Sequence, residues 1–291
     1  MASYLERLAA RTARVGSCLC LGIDPLPGAL PDGFAPDLSG VEAYARLLVE
    51  AAGPYAAAVK PNLAFFEAFG SPGLAALERI RAALPADLLL VADGKRGDIG
   101  STAARLAVGL YDGLGADAVT ANPYLGGEAI APLLERPDRF VYLLCRTSNP
   151  GAGELQSLEV AADATAGLPA EPLYARVARR AAAWGPGGTV GLVVGATAPA
   201  ELAAVRSVAP GAAFLVPGVG AQGGEIAPVL RDGPATAEPA GGRPGGGLLV
   251  NVSRGIAGAA VGPVPRDASA DPGERVAAAA RAWAARLAVL S

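Results

Sequence analysis

Short apolar runs alternate with longer segments of helical periodicity along the whole chain. The runs are rich in Val, Leu and Ala, which is typical of strands buried on both faces of a parallel sheet. Strands that alternate with helices predict an α/β fold. The predicted strands are residues 17–23, 55–59, 88–92, 118–121, 140–145, 190–194, 213–216 and 248–252. The count of eight favours a single-domain (β/α)8 TIM barrel over an open, doubly wound sheet.

Between these runs, apolar residues recur three and four positions apart and predict helices. The predicted helices are residues 3–14, 41–52, 74–84, 101–114, 127–134, 172–184, 199–208, 223–230 and 273–287. The first helix precedes the first strand, so we expect it to cap the base of the barrel.

Two segments fit neither pattern and are rich in glycine and proline. We expect residues 147–170 to form a mobile loop over an active site, and the alternative is an excursion without function. Residues 231–247 are predicted to form a second mobile loop, and their composition resembles a low-complexity linker. Both segments lie within one predicted domain, residues 1–291.

The segment VADGKRGDIGST, Val91–Thr102, places Asp93, Lys95 and Asp98 at the end of the third predicted strand. Lys60 directly follows the second predicted strand. In barrel enzymes the carboxyl ends of the strands form the working face. Of the 24 lysines and arginines, only Lys60 and Lys95 are lysine. Lysine is a compact charge whose pKa shifts readily, whereas arginine stays protonated. Lys60 and Lys95 are therefore predicted to take part in the chemistry of the protein and not only to carry charge.

The residue types that are uncommon in this chain also lie at the carboxyl ends of the predicted strands. The two lysines, four asparagines and two glutamines all lie at or just past the ends of predicted strands: Lys60, Lys95, Asn62, Asn122, Asn149, Asn251, Gln156 and Gln222. Loops collect polar residues in general. If this general tendency were the explanation, the same residue types would also occur in the loops from helix to strand, where they are absent.

Lys60, Asp93, Lys95 and Asp98 are predicted to form an array of alternating charge at the barrel mouth. Each lysine would keep its neighbouring carboxylates ionised. Such an array can strain an anionic substrate group while Lys95 holds a proton. The alternatives are a helix cap for Asp98 and surface ion pairs for the others.

A phosphate site is predicted after the last two strands. Residues 217–224, PGVGAQGG, offer backbone N–H groups before a helix, and residues 251–256, NVSRGI, add Arg254. Helix amino-terminal amides and an arginine at this place in a barrel can hold an anion. Tight turn geometry is the alternative explanation of the glycines.

The amino-acid composition of the chain argues against several classes of function. A net charge of −3 and a pI near 5.2 argue against nucleic acid as a partner. The absence of histidine removes the usual general base and the commonest metal ligand. Cys18, Cys20 and Cys145 form no CxxC pair, so we expect core residues and no metal site. No signal peptide or membrane span is expected, which predicts a soluble, cytoplasmic protein.

Six motifs, in order from the first strand to the eighth, resemble the orotidine 5′-phosphate decarboxylase family, in particular its longer bacterial subgroup. They are IDP at 23–25, KPN at 60–62, DGKRGDIGST at 93–102, RTSNPG at 146–151, PGVGAQGG at 217–224 and NVSRGI at 251–256. The charged motif with its upstream lysine is specific, whereas the glycine turns alone are not.

The resemblance implies a homodimer that converts orotidine 5′-monophosphate to UMP and CO₂ in pyrimidine synthesis, without a metal or organic cofactor. It implies that Lys95 donates a proton to C6 of the pyrimidine and that Asp93 lies against the departing carboxylate. Lys60 and Asp98 would complete the charged network.

The resemblance also implies the substrate contacts. Asp24 and Lys60 would hold ribose hydroxyls, Ser148 the pyrimidine edge, and Gln222 and Arg254 the phosphate. Asp98 and Thr102 would reach into the site of the neighbouring subunit. Residues 147–170 and 222–247 would close over the phosphate.

Two other functions remain open. One is a related barrel that acts on a sugar phosphate, as a decarboxylase or an aldolase. Such relatives typically need Mg²⁺ and an acidic ligand array, and this chain lacks obvious carboxylates beyond Asp93 and Asp98. The other is a nucleotide-binding barrel without activity, although a binder would not need the full set of lysines and aspartates.

Overall fold

The computed structural model describes residues 2–185, 187–261, 269 and 271–289. Over these residues the strands are β1 Leu19–Ile23, β2 Ala58–Pro61, β3 Leu89–Arg96, β4 Ala118–Ala121, β5 Phe140–Arg146, β6 Glu159–Val160, β7 Glu171–Pro172, β8 Val190–Val194, β9 Ala213–Val216 and β10 Leu249–Val252. The α-helices are α1 Tyr4–Val15, α2 Leu38–Ala52, α3 Ala64–Glu67, α4 Ser71–Ala82, α5 Gly100–Ala107, α6 Gly127–Leu134, α7 Gly153–Gln156, α8 Leu173–Trp184, α9 Pro199–Val208, α10 Ile226–Asp232, α11 Arg254–Ala257 and α12 Pro272–Arg286.

Eight of these strands close a parallel barrel in the order β1, β2, β3, β4, β5, β8, β9, β10, with β10 pairing back onto β1. The short strands β6 and β7 pair only with each other. One apolar cluster lies between the strands and the surrounding helices, and a second fills the barrel interior. The prediction of a single-domain (β/α)8 barrel is therefore confirmed.

Helix α1 packs against the interior cluster at the amino-terminal end of the barrel. The ring of Tyr4 stacks on Phe140 at 4.6 Å between centroids, and its hydroxyl lies 3.2 Å from that of Tyr142. A capping box between Ser3 and Glu6 satisfies the first turn of the helix. The helix closes the end of the barrel opposite the predicted site. No helix of the described residues has the length and apolar character of a membrane span.

Strand β3 extends past its predicted end at residue 92 and continues to Arg96. Asp93 and Lys95 therefore belong to the strand itself. The pairing register with β4 shifts between Ala92 and Arg96, and the backbone leaves regular strand geometry there. Apolar periodicity could not predict this extension, because its residues are polar.

Residues 147–170 contain secondary structure that was not predicted, namely α7 and β6, and β6 pairs with β7 just past the segment. The buried carboxylate of Glu171 accepts hydrogen bonds from Arg176 at 2.8 Å and from Arg179 at 3.0 Å. Arg176 also donates to the carbonyls of Ala161 and Pro169. These bonds attach the second half of the segment to α8. Its mobility remains a prediction.

Residues 232–247 lie at the amino-terminal end of the barrel. The N–H groups of Thr236 and Ala237 donate to the carbonyl of Pro210, which precedes β9, and Ala240 is fully buried. This segment connects a helix to the next strand, so it returns to the end opposite the working face. The resemblance implied that residues 222–247 close over the phosphate, and this is wrong for residues 232–247; that residues 231–247 are mobile stays a prediction.

Candidate active site

A cavity of about 550 Å³ opens at the carboxyl ends of the barrel strands. Its walls are Asp24, Lys60, Asn62, Asp93, Lys95, Thr120, Leu144, Thr147, Ser148, Asn149, Gln156, Val193, Leu215, Pro217 and Gln222. Six of the nine predicted site residues are therefore brought together, as are most of the uncommon polar residues. The volume falls in the range of small-ligand sites.

Asp93 is held between the two lysines. Its Oδ2 accepts a hydrogen bond from Lys60 Nζ, and its Oδ1 accepts one from Lys95 Nζ at 2.6 Å. The side chains of Lys60 and Asp93 are 7% and 9% exposed, whereas that of Lys95 is 47% exposed at the cavity. Lys95 is the charged member of this cluster that a ligand can reach most readily.

Charge pairing overcomes burial at this cluster. Burial by itself would raise the pKa of Asp93, but the positive charges of Lys60 and Lys95 hold that pKa well below its usual range. Burial would lower the pKa of Lys60, yet the carboxylates of Asp93 and Asp24 raise it above its ordinary value. Both shifts favour the charged forms, so Asp93 and Lys60 are ionised at neutral pH.

The backbone at Lys95 has a left-handed conformation, with φ of 49°. Among the described residues, it is the one non-glycine residue with positive φ. Its N–H donates to Thr120 Oγ1 at 2.9 Å, and that hydroxyl donates to Asp93 Oδ1 at 2.9 Å. Backbone strain of this kind persists only where neighbouring contacts impose it.

Loops after β5 and β9 form the opposite wall. Ser148 Oγ donates to Gln222 Oε1 at 3.4 Å. A Cβ on Gly218, whose φ is 98°, would lie 2.9 Å from Ser148 Cβ, so only glycine allows this close approach. Part of the glycine-rich segment 217–224 therefore has a packing role beside the site.

Gln156 connects α7 to the end of β5. Its Oε1 accepts from the N–H of Thr147 at 2.8 Å, and its Nε2 donates to Thr147 Oγ1 at 2.8 Å. Thr147 Oγ1 lies 2.6 Å from Asn149 Oδ1. The first half of the segment 147–170 is thereby part of the cavity wall.

Asp24 lies at the end of β1 and carries a buried Oδ1 that has no hydrogen-bond partner among the described residues. Asn251, in β10, carries a buried Oδ1 in the same condition. Buried polar atoms in native proteins are usually paired, so unpaired acceptors mark places for groups that the protein does not supply. Because Asp24 also lines the cavity, it can accept a hydrogen bond from a ligand hydroxyl.

Three predicted site residues do not line the cavity of their own chain. Asp98 Oδ1 accepts from the N–H of Ile99 at 2.8 Å, and it does not cap α5. Thr102 lines a separate groove of about 400 Å³ between α4 and α5. Arg254 is exposed at the first position of α11.

Thr120 and the apolar residues Leu144, Val193 and Leu215 also line the cavity, although sequence reasoning did not identify them. Apolar residues in barrel strands cannot be told from core by pattern. Thr120 left one signal, since it is the single polar residue of its strand.

The cysteines are core residues, as predicted. All three are buried, and burial raises the pKa of each thiol to about 12. Within the described part of the chain, no group of three or more acidic or cysteine side chains is placed to hold a metal ion.

Comparison with known proteins shows the family of the chain. Residues 17–266 match the model of the orotidine 5′-phosphate decarboxylase / HUMPS family. The chain belongs to this family. The confirmed resemblance covers almost the whole barrel.

Relatives of the family extend the match to nearly the full length. A protein of Roseiflexus castenholzii named orotidine 5′-phosphate decarboxylase is 42% identical over 286 residues, 98% of this chain and 96% of the relative. One of Thermomicrobium roseum with the same name is 43% identical over 280 residues, 96% of this chain and 92% of the relative. The solved structure of Leishmania donovani OMP decarboxylase has a TM-score of 0.79 and 38% identity, covering 98% of this chain and 97% of its own.

Proposed function

We propose that this chain decarboxylates orotidine 5′-monophosphate to UMP and CO₂ in de novo pyrimidine biosynthesis. The observation that carries the proposal is the array in which Asp93 lies between buried Lys60 and accessible Lys95 at the cavity. Relatives about 40% identical over most of the chain carry the name of this activity.

The chemistry demands a cation beside C6 of the pyrimidine. When the bond from C6 to its carboxylate breaks, CO₂ leaves and the electron pair stays on C6, which has no adjacent carbonyl to delocalise it. In our proposal no cofactor accepts this pair. The ammonium of Lys95 stabilises the developing charge and transfers a proton to C6, and the resulting amine regains a proton from solvent.

Asp93 has two roles in this proposal. Its Oδ1 holds Lys95 Nζ at 2.6 Å, which orients the ammonium. The carboxylate also lies against the departing carboxylate of the substrate. Lys60 balances the charge of Asp93 from the buried side.

The remaining contacts hold the nucleotide. Asp24, whose Oδ1 is unpaired among the described residues, accepts a hydrogen bond from a ribose hydroxyl. Lys60 donates a hydrogen bond to a ribose hydroxyl. Ser148 contacts the pyrimidine edge, and Gln222 with Arg254 binds the phosphate. Binding energy from the phosphate and ribose contributes to lowering the barrier at C6.

We also propose that the active form is a homodimer. Asp98 and Thr102 do not reach the cavity of their own chain, so we assign them to the site of a second copy. Two large apolar side chains on neighbouring loops at this face, Ile99 and Tyr124, are 52% and 84% exposed. A partner subunit would cover them.

The deciding experiment mixes the purified protein with orotidine 5′-monophosphate and EDTA and follows the loss of pyrimidine absorbance. Turnover in EDTA is the expected result, with Lys95→Ala as the inactive control. No turnover, with or without added metal, would overturn the proposal and favour a nucleotide-binding barrel. Turnover that requires Mg²⁺ would contradict its cofactor-free chemistry.

A further inference from the structure

The hydroxyl of Thr120 is hydrogen-bonded to both Asp93 and Lys95, the two residues of β3 that carry the proposed chemistry. Thr120 lies in β4 with 2% of its surface exposed. It accepts a hydrogen bond from the Lys95 N–H and donates one to Asp93 Oδ1, both at 2.9 Å. One side chain thus contacts the backbone of Lys95 and the carboxylate of Asp93.

The direction of these bonds is determined by their donors. A backbone N–H can only donate, so the Thr120 oxygen accepts from Lys95 and its single proton remains for Asp93. Asp93 Oδ1 then accepts from Thr120 and from Lys95 Nζ, while Oδ2 accepts from Lys60. An ionised carboxylate can accept all three bonds, whereas a protonated one would lose an acceptor.

The same hydroxyl supports the strained backbone. The register between β3 and β4 shifts between Ala92 and Arg96, and Lys95 lies inside that interval with φ of 49°. Its N–H bonds to the Thr120 side chain in place of a strand carbonyl. The conformation of Lys95 determines where its side chain enters the cavity.

We propose that Thr120 is a positioning residue for the decarboxylation, which acts by fixing Asp93 and the backbone of Lys95. This inference rests on the proposed function. Thr120 has no role in the chemistry itself, and its hydroxyl has no proton left for the substrate while both bonds exist.

The test compares Thr120→Val, which keeps the shape but removes the hydroxyl, with Thr120→Ser, which keeps the hydroxyl. We expect the valine variant to lower kcat by about 10- to 100-fold, the range for one lost hydrogen bond to a charged group, with KM within about threefold of wild type. The serine variant should restore kcat to within about threefold of wild type.

Three outcomes would overturn the inference. They are a wild-type kcat in the valine variant, a loss confined to KM, which would indicate direct contact with the substrate, and an equal kcat loss in both variants, which would indicate packing. If the valine variant does not fold, Thr120→Ala takes its place in the same comparison.

Amide hydrogen exchange separates this inference from the proposed function, because it needs no activity. In the valine variant the Lys95 N–H loses its acceptor and should exchange at least about tenfold faster. The N–H of Asn122, which bonds to the carbonyl of Arg96 at 2.8 Å, is the control and should not change. Unchanged exchange at Lys95 would overturn the inference even if the enzyme decarboxylated another substrate.

Discussion

Lys60 Nζ donates a hydrogen bond to Asp93 Oδ2 inside the barrel, where both side chains are more than nine-tenths buried. A buried charge without its partner is costly. We expect Asp93→Asn to lower the free energy of unfolding by about 3–5 kcal/mol at pH 7, measured by urea denaturation. Asp232→Asn, at the pair with the exposed Arg231, is the control and should change it by less than about 1 kcal/mol.

The pH dependence follows from the directions of the two pKa shifts. The lowered pKa of Asp93 contributes stability above about pH 4, and this is lost as pH falls through the folded-state pKa. The raised pKa of Lys60 contributes stability below about pH 10, lost as pH rises through its folded-state pKa. These contributions should therefore be constant between about pH 5 and 9.

Asp93→Asn should change this behaviour. Burial then acts on Lys60 with Asp24 as the main group opposing it, so its folded-state pKa falls below the unfolded value and the unfolded chain binds more protons. The difference in stability between variant and wild type should shrink as pH rises from 7 to 10. A difference that stays constant over this range would contradict our account of the pair.

The sequence pattern predicted the fold more completely than it predicted the candidate site. Buried parallel strands carry continuous apolar runs, so their number and the barrel were predictable from pattern. Strand β3 runs furthest past its predicted end, because its last residues, including Asp93 and Lys95, are polar and its backbone is irregular. Local periodicity holds no information on such a conformation, which neighbouring strands impose.

Residues that act through a neighbour were harder to predict. Lys60 and Lys95 were visible because lysine is rare in this chain, whereas Thr120 lies in a short apolar run and shows its role only through its bonds to β3. Residues 232–247 were misplaced because the resemblance extended the closing loop through them, and their glycine and proline composition indicates a loop without indicating the end of the barrel. The connection from helix to strand determines that end.

The proton donor can be tested by Lys95→Arg. The variant keeps a positive charge beside Asp93, but a guanidinium is wide and cannot give up its proton near neutral pH. We expect kcat to fall by about 100- to 10,000-fold, the range for loss of a general acid, while UMP binding, measured by calorimetry, is retained. A near wild-type kcat would remove Lys95 from the donor role.

Arg254→Ala tests the phosphate site. If Arg254 binds the phosphate, kcat/KM for orotidine 5′-monophosphate should fall by about 10- to 100-fold, as expected for a hydrogen bond to a charged group. The value for the nucleoside orotidine, which has no phosphate, should not change, and this is the matched control. Equal losses for both substrates would place Arg254 elsewhere in the mechanism.

Glu171→Gln tests how the segment 147–170 is held. Loss of the carboxylate weakens its bonds to Arg176 and Arg179, which attach the segment to α8. We expect faster limited proteolysis within residues 157–170 and a higher KM. Asp163→Asn, whose exposed carboxylate lies 4.0 Å from Arg180, is the control and should behave like wild type. Equal proteolysis of Glu171→Gln and wild type would contradict this anchoring role.

Hybrid dimers test whether Asp98 serves the partner's site. Asp98→Ala and Lys95→Ala subunits should each be inactive alone, since every site in either homodimer lacks one charged residue. In a mixed dimer, one of the two sites combines an intact Lys95 with an intact Asp98 from the other chain. Mixing should therefore restore activity, up to about a quarter of wild type with random exchange, because half the dimers are hybrids with one complete site. No recovery, after exchange has been verified with labelled subunits, would show that each site is built from a single chain.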